Sequence, residues 1–511
     1  MLAQLKSACL TGLEVYTVSV EIDAARGLPS WDIVGLPDTA VRESKERVHT
    51  ALKNAGFDFP PRKIVVNLAP ANLKKEGPSY DLPIALAILI ATEQLPAEGL
   101  DQFMVLGELG LDGALHPVHG VLPAALEAKS AGLKMVLPAA NAKEAALSDA
   151  PVYGFNHLSQ VVAFLKDPAD VTCEPKPDID QILQADRPLK YDFSDVKGQD
   201  EAKRALEIAA AGAHNVLFIG SPGVGKTMLA RAFTGILPPL TQAESLETSK
   251  LYSVAGLLTD QHFLVTDRPF RSPHHSASQA SLIGGGRIPR PGEVSLAHHG
   301  VLFMDELPEY RREVLEGLRQ PLEDAEVTVS RVSAQVTYPC DFILLAAMNP
   351  CPCGYLNDPH HECTCTPAQV SRYRQRISGP LLDRFDIQIE LSPVAFNDLY
   401  DKKEAESSTT IRKRVIATRK LQLDRFADRS IFANGSMSHQ DIRQFCALGP
   451  KPKALLRQAF ESLGLSARAH DRILKLARTI ADLDTGGPIS ERHIAEAIQY
   501  RTLDKKQWQI N

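Results

Sequence analysis

The chain has 511 residues, enough for about three domains, and its 56 basic against 62 acidic side chains rule out nucleic-acid binding by overall charge, so any such contact must come from a local patch. The strongest apolar run, Leu82 to Ala91, falls short of the ~18 residues of a membrane span, and no charged-then-apolar leader opens the chain; the expectation is a soluble, cytoplasmic protein. Of eight cysteines, Cys9, Cys173, Cys340 and Cys446 are scattered and the other four crowd together, unlike a secreted disulfide framework.

Residues 1–165 mix alternating runs (Val15 to Ile22, Lys63 to Leu68) with helical stretches, most clearly Asp38 to Asn54 and Val121 to Ala131. That pattern predicts an α+β domain. Glu76-Gly-Pro-Ser-Tyr80 and the segment Gly107 to Gly120 resemble the nucleophile loop and following hairpin of Lon-type proteolytic domains. Such proteases activate the serine with a lysine just beyond the second segment, because a bare hydroxyl is a poor nucleophile. Leu122 fills that place here, and the next lysine, Lys129, lies about two helical turns on. The resemblance therefore implies a retained fold without peptidase chemistry, with Ser79 expected to cap the helix beginning near Asp81. Residues 166–190 are rich in proline and acidic groups without periodicity and read as an exposed linker.

The apolar run Asn215 to Ile219 leads into Gly220, Ser221, Pro222, Gly223, Val224, Gly225, Lys226 and Thr227, followed by the helix-forming Met228 to Phe233. This strand, GxxxxGK[ST] loop and helix form a phosphate cradle: glycines let amide N–H groups turn inward, Lys226 reaches the β- and γ-phosphates, and Thr227 ligates Mg2+. A second apolar strand, Val301 to Met304, delivers Asp305 to hold the magnesium and Glu306 to activate water. Alternation over 326–338 predicts a β-hairpin.

Several further segments resemble AAA+ ATPases. Phe193 to Gln199 is similar to the segment that borders the adenine, and Asn349, ending the apolar run Asp341 to Met348, matches sensor 1, which helps hold the lytic water. Gly379 to Asp386 resembles the segment supplying an arginine finger to the neighbouring subunit, here Arg384; an ion pair with Asp383 or Asp386 is the other reading. Leu465-Ser-Ala-Arg468 is similar to sensor 2, with Arg472 and Arg478 of the same helix as competitors.

Cys351, Cys353, Cys363 and Cys365 read as CxC, nine residues, CxC. Two close pairs suit tetrahedral zinc, with His360 or His361 able to replace a ligand; reduced, metal-free thiols are the alternative. Between the phosphate loop and Asp305, the stretch 253–292 carries Arg271, His274, His275, Arg287 and Arg290 among glycines and serines. It reads as an insertion in the second helix. With the hairpin bearing Arg331 it forms either a basic lining for DNA phosphates or an ordinary solvated loop pair.

On Arg271-Ser-Pro-His-His275, Gly284-Gly-Gly286, the segment Arg290 to Gly300 and Met348-Asn-Pro-Cys-Pro-Cys-Gly354, nearly the whole chain resembles the YifB/ComM family of Mg-chelatase-like AAA+ ATPases. The expected fold class is α/β: a Lon-protease-like α+β domain (1–165), the linker (166–190), an AAA+ P-loop motor (191–394) and a helical C-terminal lid (395–511). The resemblance implies ATP and Mg2+, a homo-oligomeric ring, a hexamer, and a helicase acting on single-stranded or branched DNA in branch migration during natural transformation. The alternative is a chelatase-like remodeller of a protein partner.

Overall fold

Alternating side chains make Leu2–Thr11 and Glu14–Ala25 a hairpin, paired antiparallel from Leu2↔Asp23 to Thr11↔Glu14, with Gly12 in the turn at φ +67°. In this computed structural model the described residues are 2–168, 171–185, 188–286, 289–331, 334–394, 405–429 and 431–501. The hairpin sits inside a mixed seven-stranded sheet ordered Ser30–Val34, Lys63–Ala69, Glu14–Ala25, Leu2–Thr11, Phe103–Val105, Lys134–Pro138, Val152–Phe155. Helix Thr39–Asn54 begins where Asp38 accepts the Val41 N–H. Every residue of helix Asp81–Ala91 is buried. It is apolar all round because it lies within the core, and no described helix is long and apolar enough to cross a membrane.

Ser79 falls in the short turn Pro78–Tyr80, and helix Asp81–Ala91 has no side-chain cap. The expected capping role is therefore wrong. One turn of 3₁₀ helix already feeds the α-helix and supplies its first backbone geometry. Lys129 is committed to Asp149. Leu122 is fully buried against Leu147, Ile179 and Leu264, which also corrects the linker. Ile179–Gln184 is a helix capped by Asp178, with Ile179 in that cluster. Six residues are too few to show a period in the sequence.

The second sheet holds five parallel strands in the order Phe270–Arg271, Val301–Met304, Ile343–Met348, Val216–Gly220, Ile387–Leu391. Both faces are covered, which is why its central strands read as unbroken apolar runs. Alternate residues serve two cores. Val216 and Phe218 face helix Asp200–Gly212 and the C-terminal helices, whereas Leu217 and Ile219 face Leu302, Met304, Leu344 and the predicted hairpin, found as Glu326–Arg331 paired with Ala334–Pro339.

Residues 405–501 form helices Ser408–Arg425, His439–Phe445, Pro450–Leu463, Ala467–Asp484 and Glu491–Gln499. They share a core with the five-stranded sheet: Gln422 donates to the Ala211 carbonyl at 3.0 Å and Arg419 to that of Ala210 at 2.8 Å. Their central polar knot is Asp482, fully buried, which accepts from Arg425 at 2.6 and 2.5 Å, Arg478 at 3.0 Å and Asn434 at 2.8 Å.

Removing one partner of a buried ion network strands the others without water. Asp482→Ala should therefore cost roughly 3–5 kcal/mol, read as a lowered urea midpoint of this helical unit. A change below about 1 kcal/mol would show the knot to be solvated in solution.

Candidate functional site

The phosphate loop joins strand Val216–Gly220 to helix Lys226–Phe233 at the end of the parallel sheet, where the strands at 301–304 and 343–348 also terminate. Gly223 and Gly225 hold φ +82° and +93° with open space around them, so backbone conformation, not crowding, demands glycine there. Gly220 is the opposite case: a Cβ would lie 2.8 Å from the Leu391 carbonyl oxygen.

Lys226 Nζ donates to the carbonyls of Gly220 at 2.6 Å and Ser221 at 3.1 Å, and to Asn349 Oδ1 at 2.9 Å. Burial lowers its pKa, opposed by the charges of Asp305 and Glu306. Thr227 Oγ1 donates to Asp305 Oδ2 at 2.8 Å. The structure thus gathers Lys226, Thr227, Asp305, Glu306 and Asn349 from three strand ends. Two hard oxygens side by side, Thr227 and Asp305, fit Mg2+. Glu306 sits at φ +51°, and its carboxylate lies 3.2 Å from His275 Nδ1. Gln199, from the adenine-bordering segment, donates to the Ser392 carbonyl at 2.7 Å and lies against Val224 at 3.4 Å.

Arg384 lies elsewhere. Its side chain is buried and ion-paired with Glu323, so the sequence reading that paired it with Asp383 or Asp386 is corrected. Asp386 belongs instead to Arg472, at 2.7 Å, and to His214. Sequence distance hid both pairings. Burial lowers the pKa of Arg384, and the charges of Arg472, Arg468 and Arg319 add to the effect. Of the three arginines on helix Ala467–Asp484, Arg472 and Arg478 are spent on Asp386 and Asp482. Arg468 is 64% exposed, with only Asp383 at 3.9 Å.

The basic stretch is partly consumed. Arg271 makes a two-pronged pair with Glu293 at 2.6 and 2.8 Å, and His275 faces Glu306, while His274 and Arg290 are exposed. Arg287 and the Arg331 side chain lie outside the described residues. In place of one long loop, the segment folds as helix Gln279–Ile283 and the pair Gly284–Gly285 with Arg290–Pro291. His275 stands in the RSPHH run, but nothing in its spacing pointed at Glu306.

The four cysteines converge, with their sulfurs all within 4.8 Å of one another. Against the effect of burial, the Tyr355 N–H and the neighbouring thiols pull the Cys353 thiol down to about 6. Such a group of thiols can hold a metal ion. His361 points to Asp358 and stacks on Tyr355 instead of joining them. Glu247, His298 and His299 also cluster. There, His298 Nδ1 accepts the Asp341 N–H at 3.0 Å, leaving the proton on Nε2 toward Glu247, which suits a hydrogen-bonded set and not a metal.

The family described as magnesium chelatase, subunit ChlI, matches residues 192–399; subunit ChlI of Mg-chelatase matches 20–141, and its C-terminal part matches 405–501. YifB of Escherichia coli (strain K12) is 45% identical over 497 residues, covering 97% of this chain and 96% of that protein. Competence protein ComM of Haemophilus influenzae is 43% identical over 504 residues, covering 98% of each. The magnesium-chelatase 67 kDa subunit of Heliobacterium mobile is 28% identical over 254 residues, 43% of this chain and 36% of that one.

The different surroundings of Arg472 and Arg468 give opposite expectations. Arg472→Ala removes the charge that, with His214, holds the buried Asp386 carboxyl well below its usual range against desolvation, and should cost about 2–4 kcal/mol. Arg468→Ala should stay within about 0.5 kcal/mol of the parent. Denaturant melts of the two variants check this; equal losses would contradict it.

Proposed function

The chain belongs to the Mg-chelatase-like YifB/ComM family, and from that premise we propose that it is an ATP-hydrolysing AAA+ ring motor, a hexamer, that drives branch migration of DNA recombination intermediates. The observation that supports an ATPase above all is the grouping of Lys226, Thr227, Asp305, Glu306 and Asn349 at the ends of adjacent parallel strands. In this reading Lys226 neutralises the β- and γ-phosphates, and the amides of residues 220–227 cradle them. Thr227 and Asp305 would hold Mg2+, which supplies charge neutralisation at the phosphates. Glu306 takes the proton of the attacking water, and Asn349 orients that water. Arg384, once released from Glu323, serves the neighbouring subunit as arginine finger, and Arg468, whose charge acts on Arg384, contacts the γ-phosphate as sensor 2. Cys351, Cys353, Cys363 and Cys365 hold a structural zinc ion.

A DNA substrate draws its support from the ComM relative and from two exposed basic side chains, His274, which packs against His275 at the site, and Arg290. The test is a synthetic four-way junction. ATP-dependent, salt-sensitive strand exchange is expected, whereas indifference to single-stranded and branched DNA alike would turn the reading toward remodelling of a protein partner, as the chelatase match favours.

Glu306→Gln should bind ATP with parent affinity yet hydrolyse it roughly 10²-fold or more slowly; Lys226→Ala should lose nucleotide binding itself. Turnover by Glu306→Gln at the parent rate would displace Glu306 from the role of base.

The front domain is proposed to keep a Lon-like fold without peptidase chemistry. Ser79→Ala should leave ATPase and junction activity unchanged, and the parent protein should cleave no casein with ATP. Labelling of Ser79 by a fluorophosphonate would overturn this.

A further inference from the structure

The loop that carries the four cysteines leans on the phosphate loop. Gly354 packs against Pro222 so closely that a Cβ there would lie 2.7 Å from the proline Cδ. The Ser221 hydroxyl stands near enough to the Asp358 carboxylate to help hold its pKa below the usual range. At its start the loop is continuous with Asn349, the third acceptor of Lys226, and only Pro350 separates Asn349 from Cys351. The Pro350 carbonyl is held by the buried Arg374 guanidinium at 3.2 and 3.3 Å.

Inside the loop the bonds are polar and local: the Asp358 carboxylate accepts from the His360 and His361 N–H groups at 2.9 and 3.0 Å, and His361 stacks on Tyr355. Between Cys353 and Cys363 it has neither helix nor strand, and Asp358, His360, His361 and Glu362 give it no apolar core of its own. What closes it is the meeting of its two ends. Cys351 Sγ lies 3.3 Å from Cys353 Sγ and 3.7 Å from Cys363 Sγ, and Cys353 Sγ lies 3.6 Å from Cys363 Sγ. These exceed an S–S bond of about 2.05 Å. They approximate the edge of a tetrahedron, about 3.8 Å for a metal–sulfur length of about 2.3 Å. The space suits one ion and is too small for an iron–sulfur cluster. The Cys353 N–H donates to Cys365 Sγ at 3.3 Å, the kind of bond that orients a thiolate ligand.

We propose that Cys351, Cys353, Cys363 and Cys365 hold one Zn2+ whose presence sets the affinity of the adjoining site for nucleotide. The ion ties the loop ends together, and the closed loop backs Ser221, Pro222 and Asn349. Without it the loop ends separate, Asn349 is no longer held toward Lys226, and the phosphate cradle loses its outer support. The proposal rests on the reading of residues 220–227 as a nucleotide site, so metal content and nucleotide binding are measured separately.

Full-length protein purified without added zinc should carry about one zinc per chain by elemental mass spectrometry. Removing it with a zinc-selective chelator, with Mg2+ in excess, should weaken binding of a fluorescent ATP analogue by about tenfold, the weight of one hydrogen bond to a charged group. Added Zn2+ should restore it. Asp358→Ala, which keeps every thiol, should retain its zinc and still bind the analogue several-fold more weakly; Cys363→Ser with Cys365→Ser should lose both and not respond to zinc. A zinc-free parent, or equal affinity with and without the ion, overturns the proposal. A zinc-loaded parent that binds no analogue overturns the nucleotide reading beneath it, and the proposal with it.

Discussion

The position of one half-buried ammonium group organises the candidate site. Lys226 is desolvated, and a charge taken from water must be matched by oxygens or lose its proton. The protein supplies three such oxygens, on Gly220, Ser221 and Asn349. Two belong to the loop that the lysine closes, and the third comes from a strand 123 residues away. The same bonds that satisfy the charge therefore draw Asn349 and the glycine loop into register. A triphosphate, in the proposed reading, competes for that ammonium with oxygens of higher charge, so binding exchanges one satisfied arrangement for another and leaves no buried charge unpaired.

Much of this was legible in the sequence because it depends on local rules. A loop that must adopt φ near +90° at Gly223 and Gly225 announces itself as glycine, and strands covered on both faces announce themselves as unbroken apolar runs. Patterning also found the 326–339 hairpin, and the alternating runs at 15–22 and 63–68 lie in strands Glu14–Ala25 and Lys63–Ala69. What stayed hidden are pairings made by the fold. Arg384 meets Glu323, Glu306 meets His275 and Arg271 meets Glu293, and in each case several closer opposite charges were available along the chain. Charge alone does not choose among them; the crossing of loops above the sheet does. Ser79 shows the converse, a residue type that favours caps placed where a 3₁₀ turn leaves nothing to cap.

The seven-stranded unit is bound to the five-stranded one through the start of helix Val121–Ser130. Leu122 lies in the first turn of helix Val121–Ser130, where N–H groups have no intrahelical partner. Its own N–H donates to Glu144 Oε1 at 3.0 Å and approaches Ser253 Oγ at 3.3 Å, Ser253 donates to the same carboxylate at 2.5 Å, and the Gly120 N–H donates to the Ser253 carbonyl at 3.0 Å. Ser253 belongs to the motor helix Gln242–Ala255. Glu144 is almost fully buried, and burial raises its pKa against the hydrogen bonds it accepts. A lysine at 122 would place a second charge in this seam. The leucine instead fills the apolar side of the joint with Ile179 and Leu264.

A second joint ties the 326–339 hairpin to the first hairpin. Gly12, at the tip of the first hairpin, fits over Val336 so tightly that a Cβ would overlap its Cγ1 at 2.1 Å. Val336 belongs to the hairpin that directly precedes strand Ile343–Met348, the strand ending at Asn349. The two contacts, Ser253 with Glu144 and Val336 with Gly12, lie on segments that flank the Asp305–Glu306 strand in sequence. Packed interfaces respond to displacement by discrete repacking and not by continuous yielding. A shift of Asn349 that is carried along its strand therefore has two outcomes at the far end: the Gly12 contact holds and the front sheet moves with the hairpin, or the contact breaks and the two sheets move separately. The hydrogen-bonded seam at Glu144 favours the first, because breaking it strands a buried carboxylate, whereas moving it intact costs nothing in hydrogen bonds.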